Sequence, residues 1–311
     1  MVDELEERMK VDAAVARQRA SQGVPKTSGH KPLTAPVDDV VRLAREVHVR
    51  GGSHRHTPSV SRERVFLPGR LWTVRRLLAL TVAIVVLVPA AWGSPQPPVV
   101  VLDPGHDLRA NLATEPIGPG STTRKILDGG GTSGVVTGIR EADLDLAVAL
   151  RLRRLLRAAG VRVVLTRTST SGTSMGNIAR ARIANRAHAT LFLRIHADGS
   201  SDPRAAGTHT LYPALERGWT DDIYTQSRRA AQLVQSEVVS ALGFPDRGLQ
   251  EHTDFTGFNW ADVPVILVEL GFMTNPTEDR LLATASYRQR AAVGLCRGTL
   301  RYLGRSPAAC G

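Results

Sequence analysis

The chain has 311 residues, of which 42% are hydrophobic, and it carries a formal net charge of +11. This length can hold one sizeable domain with appendages. Only 5% of the residues are aromatic, and they do not interleave with the basic residues. Because a nucleic-acid groove combines the two, we expect no nucleic-acid partner.

The segment before residue 99 is expected to precede the folded domain. Residues 1–73 are polar and are interpreted as a disordered basic tail or a mis-annotated start. Residues 74–93 contain the apolar run LLALTVAIVVLVPAAW after two arginines, which is typical of a signal peptide or a short signal-anchor helix. A Pro-rich linker follows at 94–98. The basic flank predicts an extracytoplasmic location for the rest of the chain, with membrane contact only through residues 75–93 if they are not cleaved.

From residue 99 onwards, strand and helix patterns alternate. Leucines at helical spacing in READLDLAVALRLRRLLRAA predict an amphipathic helix over 140–159, and apolar β-branched runs predict buried strands. The other predicted elements are strands at 99–102, VRVVLTR, 190–195, GTHTLYP and 264–268, and helices at 176–187, 220–242 and 287–303. This order predicts an α/β fold in which a single twisted, mostly parallel sheet has helices on both faces.

Three of the predicted strands end in side chains that bind metals or transfer protons. These side chains are Asp103 and His106, His196 and Asp198, and Glu269 after the run VPVILV. Because ligand sites in parallel sheets lie at the carboxyl ends of strands, we expect the three sets to meet at one edge. A charged Glu269 inside the protein would need a compensating partner. The alternative interpretation is a glutamate that emerges into solvent at a turn.

Glu141 is a fourth candidate, since it starts the helix that follows the Gly-rich stretch DGGGTSGVVTGIR. Taken alone, it is equally well explained as a first-turn acid that complements the helix dipole. His106 and His196, taken alone, are also compatible with ordinary core histidines. Together with Glu141 they match the two-histidine, one-glutamate ligand set of a catalytic zinc site that keeps a position open for water.

At this point the ordered motifs resemble a known family. The motifs are LDPGH, Gly138 to Glu141, VVLTR, RARIAN, LRIHAD and PVILVELGFMTNPTED. Their order and context resemble the zinc-dependent N-acetylmuramoyl-L-alanine amidases of the Amidase_3 type, which cut peptidoglycan between N-acetylmuramic acid and L-alanine. The resemblance covers a catalytic domain at 99–304 and leaves a C-terminal tail at 305–311.

The resemblance implies one Zn²⁺ per chain, bound by His106, Glu141 and His196, with Glu269 as general base and then general acid. It also implies a hydrolase of peptidoglycan in the cell envelope, secreted or periplasmic, and we expect a monomer. Two alternatives stay open: a catalytically silent relative that binds or regulates the cell wall, and a zinc peptidase or deacetylase acting on another wall bond. The presence of all four site residues argues against a silent relative.

Further residues are given weaker expectations. His209, Asn259 and Arg194 are expected to bind substrate, with an ordinary surface histidine as the alternative for His209. Asp103 and Asp198 are expected to orient a ligand imidazole or to cap a turn. Cys296 and Cys310 are candidates for a disulfide that would attach the tail to the last helix, if the compartment is oxidising. The 107–137 loop is expected to influence specificity.

Overall fold

A computed structural model of the protein describes residues 96–311. The predicted tail at 1–73, the predicted signal or anchor segment at 74–93 and the first two linker residues lie outside the described residues. Among residues 96–311, no helix is both long and apolar enough to cross a membrane.

The described residues form eight strands, six α-helices and a final 3-10 turn. The strands are β1 (Val99–Pro104), β2 (Asn111–Pro116), β3 (Arg124–Asp128), β4 (Arg162–Leu165), β5 (Leu191–Asp198), β6 (Thr208–Pro213), β7 (Asp246–His252) and β8 (Val265–Phe272). The helices are α1 (Glu141–Ala158), α2 (Asn177–Arg186), α3 (Tyr224–Leu242), α4 (Thr256–Asn259), α5 (Pro276–Leu282) and α6 (Ala285–Tyr302), and the 3-10 turn is Pro307–Cys310.

Six strands form one sheet in the order β4-β1-β5-β8-β6-β7. Every neighbouring pair is parallel except β6 and β8, which are antiparallel. The predicted mostly parallel sheet is therefore confirmed. The prediction of a single sheet was incomplete, because β2 and β3 form a separate antiparallel hairpin within the segment that was expected to be a loop.

The sheet is covered on both faces, as predicted. Alternate residues of the inner strands point into one of two apolar clusters: in β1, Val100 and Leu102 belong to the first, and Val101 belongs to the second. Helices α1, α3 and α6 contribute to the first cluster, whereas α2 and α4 contribute to the second. All eight residues of β8 are buried. Each fully buried aliphatic side chain stabilises the fold by about 1.5 to 3 kcal/mol.

The C-terminal residues are attached to the last helix by a disulfide. Cys296 of α6 and Cys310 of the 3-10 turn are bonded, with 5.9 Å between their Cα atoms. Both cysteines are buried, so the bond closes a short loop at the edge of the first apolar cluster.

Candidate active site

Three side chains with metal-binding atoms meet at the carboxyl edge of the sheet. His106, Glu141 and His196 each offer one such atom, and these atoms lie within 4.8 Å of one another. Nε2 of His106 and Nδ1 of His196 are each 3.0 Å from Oε1 of Glu141. The two imidazole rings stand nearly perpendicular, with centroids 4.9 Å apart. The structure thus brings together the three residues that the sequence pattern selected.

The His196 ring is held in the neutral form. Burial lowers the pKa of His196 to about 4, and neutral imidazole is the form that binds a metal. Its Nε2 atom is buried and has no hydrogen-bond partner within residues 96–311. Besides Glu141, the His196 ring contacts the His106 ring, so its buried surroundings are the candidate metal site itself.

Asp128 holds the far side of the His106 ring. Oδ1 of Asp128 lies 2.5 Å from Nδ1 of His106 and also accepts a hydrogen bond from the backbone N–H of Gly130. Burial alone would lower the pKa of His106, but the charges of Glu141 and Asp128 raise it well above 6.5. A carboxylate on the second ring nitrogen is the usual way in which proteins orient a metal-binding histidine.

The hairpin places Asp128, because it docks on the start of α2. Glu115 of β2 accepts hydrogen bonds from the backbone N–H groups of Asn177 and Ile178, where the helix dipole favours a carboxylate. The Asn177 side chain donates to the backbone oxygen of Leu127, directly before Asp128. Sequence reasoning missed Asp128, since its place depends on this hairpin.

Glu141 is fixed by its position as the first residue of α1. Its backbone N–H donates to the oxygen of Thr132, while its Oε2 accepts from the backbone N–H of the same residue. The neighbouring Gly131 has φ of 73°, and a Cβ there would lie 2.8 Å from the His106 ring. A glycine is therefore required at this turn.

Two buried arginines hold the turn that carries His106. This residue has φ of 54°, a conformation that costs energy for a residue other than glycine. Arg167 donates to the backbone oxygens of Pro104 and Gly105. Arg180 donates to the oxygens of Pro104 and His106. These contacts explain the arginine of the VVLTR motif and the first arginine of the RARIAN motif.

Asp103 binds arginines rather than a ligand imidazole, which corrects the prediction for this residue. Its oxygens lie 2.5 Å from Arg180 and 2.8 Å from Arg194, and it accepts a third hydrogen bond from Thr166. Burial would raise the pKa of Asp103, but the two guanidinium groups hold it well below its ordinary value of 3.8. Asp103 supports the His106 turn indirectly, through Arg180.

Glu269 lies beside the three candidate ligands in the sheet. It pairs with His196 in the parallel register of β5 and β8, and with His209 in the antiparallel register of β6 and β8. Side chains at paired positions point to the same face of a sheet. Glu269 is only 2% exposed, yet it lines a cavity of about 390 Å³ together with the His106, Glu141 and His196 side chains.

The weaker substrate predictions have mixed outcomes. His209 is buried and lines the cavity, so it is not a surface histidine. Arg194 also lines the cavity, but its guanidinium is bound to Asp103 and Asn177. Asn259 is buried outside the cavity lining and donates to the backbone of Thr253, so the expectation of substrate contact is not supported there.

Asp198 likewise faces a different histidine from the one expected. Its Oδ2 atom lies 3.6 Å from Nε2 of His209, and its Oδ1 accepts from the N–H of Gly199. The structure therefore places Asp198 beside the cavity histidine His209 rather than beside a candidate ligand.

The NPTED segment ties the site loops together. Asn275 caps the start of α5. Glu278 accepts from the backbone N–H groups of Gly207 and Phe272. Buried Asp279 accepts from the N–H groups of the turn at 136–137 and from the Thr137 hydroxyl. This turn lies between the hairpin and Glu141, so Asp279 anchors the approach to α1.

Another buried carboxyl lies one turn into α1. Asp145 is fully buried, and neither of its oxygens has a hydrogen-bond partner among the described residues. Burial and the charge of Glu141 raise the pKa of Asp145 well above its usual range. Asp145 lies on the buried face of α1, where the spacing of apolar residues predicts an apolar side chain, so the sequence pattern does not indicate a buried carboxyl there.

Comparison with known proteins defines the class. Residues 100–301 match the Amidase_3 family, described as N-acetylmuramoyl-L-alanine amidase. The chain is 33% identical over 214 residues to the N-acetylmuramoyl-L-alanine amidase Rv3717 of Mycobacterium tuberculosis, covering 66% of this chain and 86% of the relative. It is 30% identical over 241 residues to AmiA of Escherichia coli, covering 66% and 75%.

Solved structures agree with these sequence relatives. The chain superimposes on the crystal structure of the amidase Ami1 from Mycobacterium smegmatis with a TM-score of 0.61 and 29% identity, covering 67% of this chain and 97% of the other. The chain therefore belongs to the Amidase_3 family of N-acetylmuramoyl-L-alanine amidases. It is a hydrolase of peptidoglycan, as the resemblance implied.

Proposed function

We propose that His106, Glu141 and His196 bind one zinc ion and that Glu269 is the catalytic carboxylate for hydrolysis of the bond between N-acetylmuramic acid and L-alanine. The observation that carries this proposal is the meeting of the three metal-binding side chains and Glu269 on one cavity wall.

The residues present fit a catalytic zinc site. Two imidazole nitrogens and one carboxylate are a ligand set that zinc uses when it keeps a position open for water. Asp128 supplies the carboxylate support expected behind one of the histidines. Zinc bound in such a site lowers the pKa of water towards 7 and polarises a carbonyl oxygen.

The chain's own groups would handle the proton. Glu269 takes a proton from the attacking water and then gives it to the alanine nitrogen as the C–N bond breaks. The nitrogen thus leaves as a neutral amine and the lactyl carbonyl carbon becomes a carboxylic acid, which then loses the second water proton to the released amine or to solvent and becomes a carboxylate. All eight residues of β8 are buried, and this rigid strand fixes the direction in which the Glu269 side chain points.

The two alternatives are weaker. A catalytically silent relative that only binds the cell wall would not need three metal-binding side chains beside the buried Glu269. All four residues are present here. A zinc peptidase or deacetylase would use the same residues, but the named relatives are N-acetylmuramoyl-L-alanine amidases.

Location follows from the substrate. Peptidoglycan lies outside the cytoplasmic membrane, so we propose that residues 74–93 export or tether the catalytic domain. The basic pair before the apolar run supports this orientation.

The test uses the full chain with Glu269→Gln, and Glu216→Gln as a matched control outside the cavity lining. We expect all three proteins to bind close to one equivalent of zinc by elemental analysis. The wild type and the control should release stem peptides from peptidoglycan, and Glu269→Gln should lose about 100- to 10,000-fold in kcat, on the scale of general acid-base catalysis. Substantial activity in Glu269→Gln, or zinc binding that is unchanged in a His196→Ala variant, would overturn the assignment.

A further inference from the structure

We propose that Arg247 forms a recognition site for a carboxylate on the peptide portion of the substrate. This inference rests on the proposed function and adds a direction: the stem peptide extends from the candidate metal site towards β7.

Arg247 differs from the other cationic side chains of the cavity. Lys125 pairs with Asp254, and Arg180 and Arg194 share the carboxylate of Asp103. Arg247 lines the same cavity, donates one long hydrogen bond of 3.4 Å to the backbone oxygen of Ala206 and lies near enough to Glu278 to influence its pKa, but it forms no ion pair within 4.0 Å among residues 96–311. Its charge is therefore available for a ligand.

A bulge in the edge strand aims Arg247 into the cavity. The register of β6 and β7 shifts between Thr208 and Thr210, so that Arg247 and Gly248 form the irregular part of β7. Gly248 has φ of 75°, and its N–H donates to the side chain of Asp246. Bulges of this kind redirect side chains next to active sites.

The aromatic ring of Phe272 supports the guanidinium. The Arg247 guanidinium carbon lies 5.0 Å from the centroid of this ring, which leaves the donor edge of the guanidinium available for hydrogen bonds. The same ring lies 6.1 Å from the His209 ring, which pairs with Glu269 in the sheet. A continuous series of contacts therefore leads from the catalytic carboxylate to Arg247.

The chemistry of the substrate selects the ligand class. The sugars of the glycan are N-acetylated and uncharged, and the lactyl carboxyl of muramic acid is consumed in the scissile amide. The anionic groups near this bond are thus the free carboxylates of the stem peptide. An extended peptide advances about 3.5 Å per residue, so the carboxylates of the second and third residues are the ones nearest the scissile bond and are the ligands that we assign to Arg247. A guanidinium binds a carboxylate through two parallel hydrogen bonds.

The experiment compares two muramoyl tripeptides that differ only in bearing free carboxylates or carboxamides on the peptide. The value of kcat/KM for each is measured for the wild type, Arg247→Gln and Arg247→Lys, with Arg154→Gln as a control arginine outside the cavity lining. We expect the wild type and the control to prefer the carboxylate substrate by about tenfold or more. The preference should fall to about one in Arg247→Gln and return in part in Arg247→Lys.

The outcomes separate the two proposals. A wild type that cleaves both substrates at equal rates, or a folded Arg247→Gln that keeps the preference, contradicts the assignment of Arg247 alone. If the wild type cleaves neither substrate at the lactyl-alanine amide, the proposed function is wrong and the Arg247 site falls with it.

Discussion

Removal of the carboxylate behind His106 should weaken zinc binding by a predictable amount. Asp128 contacts Nδ1 of His106 at 2.5 Å and is almost fully buried. Loss of such a supporting carboxylate typically reduces metal affinity by about 10- to 100-fold, or about 1.4 to 2.7 kcal/mol. We expect Asp128→Ala to reduce zinc affinity by an amount near the upper end of this range. Asp128→Asn should reduce it by an amount near the lower end, because the asparagine oxygen still accepts the hydrogen bond from His106 although the negative charge is lost.

The assay is a competition titration with a chelator of known zinc affinity, and the exposed Asp222→Asn serves as the charge-matched control. The melting temperature of each zinc-loaded variant shows whether the hairpin remains docked. The reasoning is refuted if Asp128→Ala binds zinc as tightly as the wild type, or if the alanine and asparagine variants lose affinity equally.

Three further predictions concern stability and support of the site. Asp279→Asn should loosen the turn before Glu141, because one carboxylate oxygen accepts from both backbone N–H groups and the other from the Thr137 hydroxyl, and the amide keeps only one of these two acceptors; we expect weaker zinc binding in the same titration, and unchanged binding would contradict the anchor. Replacement of Cys296 and Cys310 by serine should lower the free energy of unfolding by about 3 kcal/mol for a loop of this length, measured by urea unfolding, and an unchanged midpoint would refute it. The depressed pKa of Asp103 means that its stabilising effect is present above its ordinary pKa of 3.8 and is lost as pH falls below that value. Asp103→Asn should therefore be less stable by about 3 to 5 kcal/mol at pH 7 and show a shallower loss of stability below pH 4; equal acid curves would count against this account.

The strands and helices are predicted well from the sequence where apolar residues are continuous or regularly spaced. The fully apolar strands and the long helix α1 follow from residue spacing, and the parallel topology brings His106, His196 and Glu269 to one edge, as expected. The hairpin was missed, since NLATEP and RKILD have little apolar alternation and lie between glycines. Strand β7 was missed for a similar reason, because DRGLQEH lies at the sheet edge and buries none of its residues fully.

Supporting residues are harder to predict than candidate ligands. His106 is placed by a strand end, whereas Asp128 reaches it from a hairpin that the sequence analysis did not predict. Asp103 was assigned the wrong kind of partner, because the sequence does not reveal that Arg180 and Arg194 turn inward. Which partner a supporting side chain contacts depends on the packing of the folded chain, and residue type alone does not specify that packing.

The central claim is most directly tested by hydrolysis of a muramoyl peptide in oxygen-18 water, with the products identified by mass spectrometry. If the lactyl-alanine amide is cut, one heavy oxygen enters the lactyl carboxylate of the muramic acid product, and the released peptide has an unlabelled, free alanine amino terminus. Label in a peptide carboxylate, or cleavage that persists at the wild-type rate in Glu269→Gln, would contradict the account.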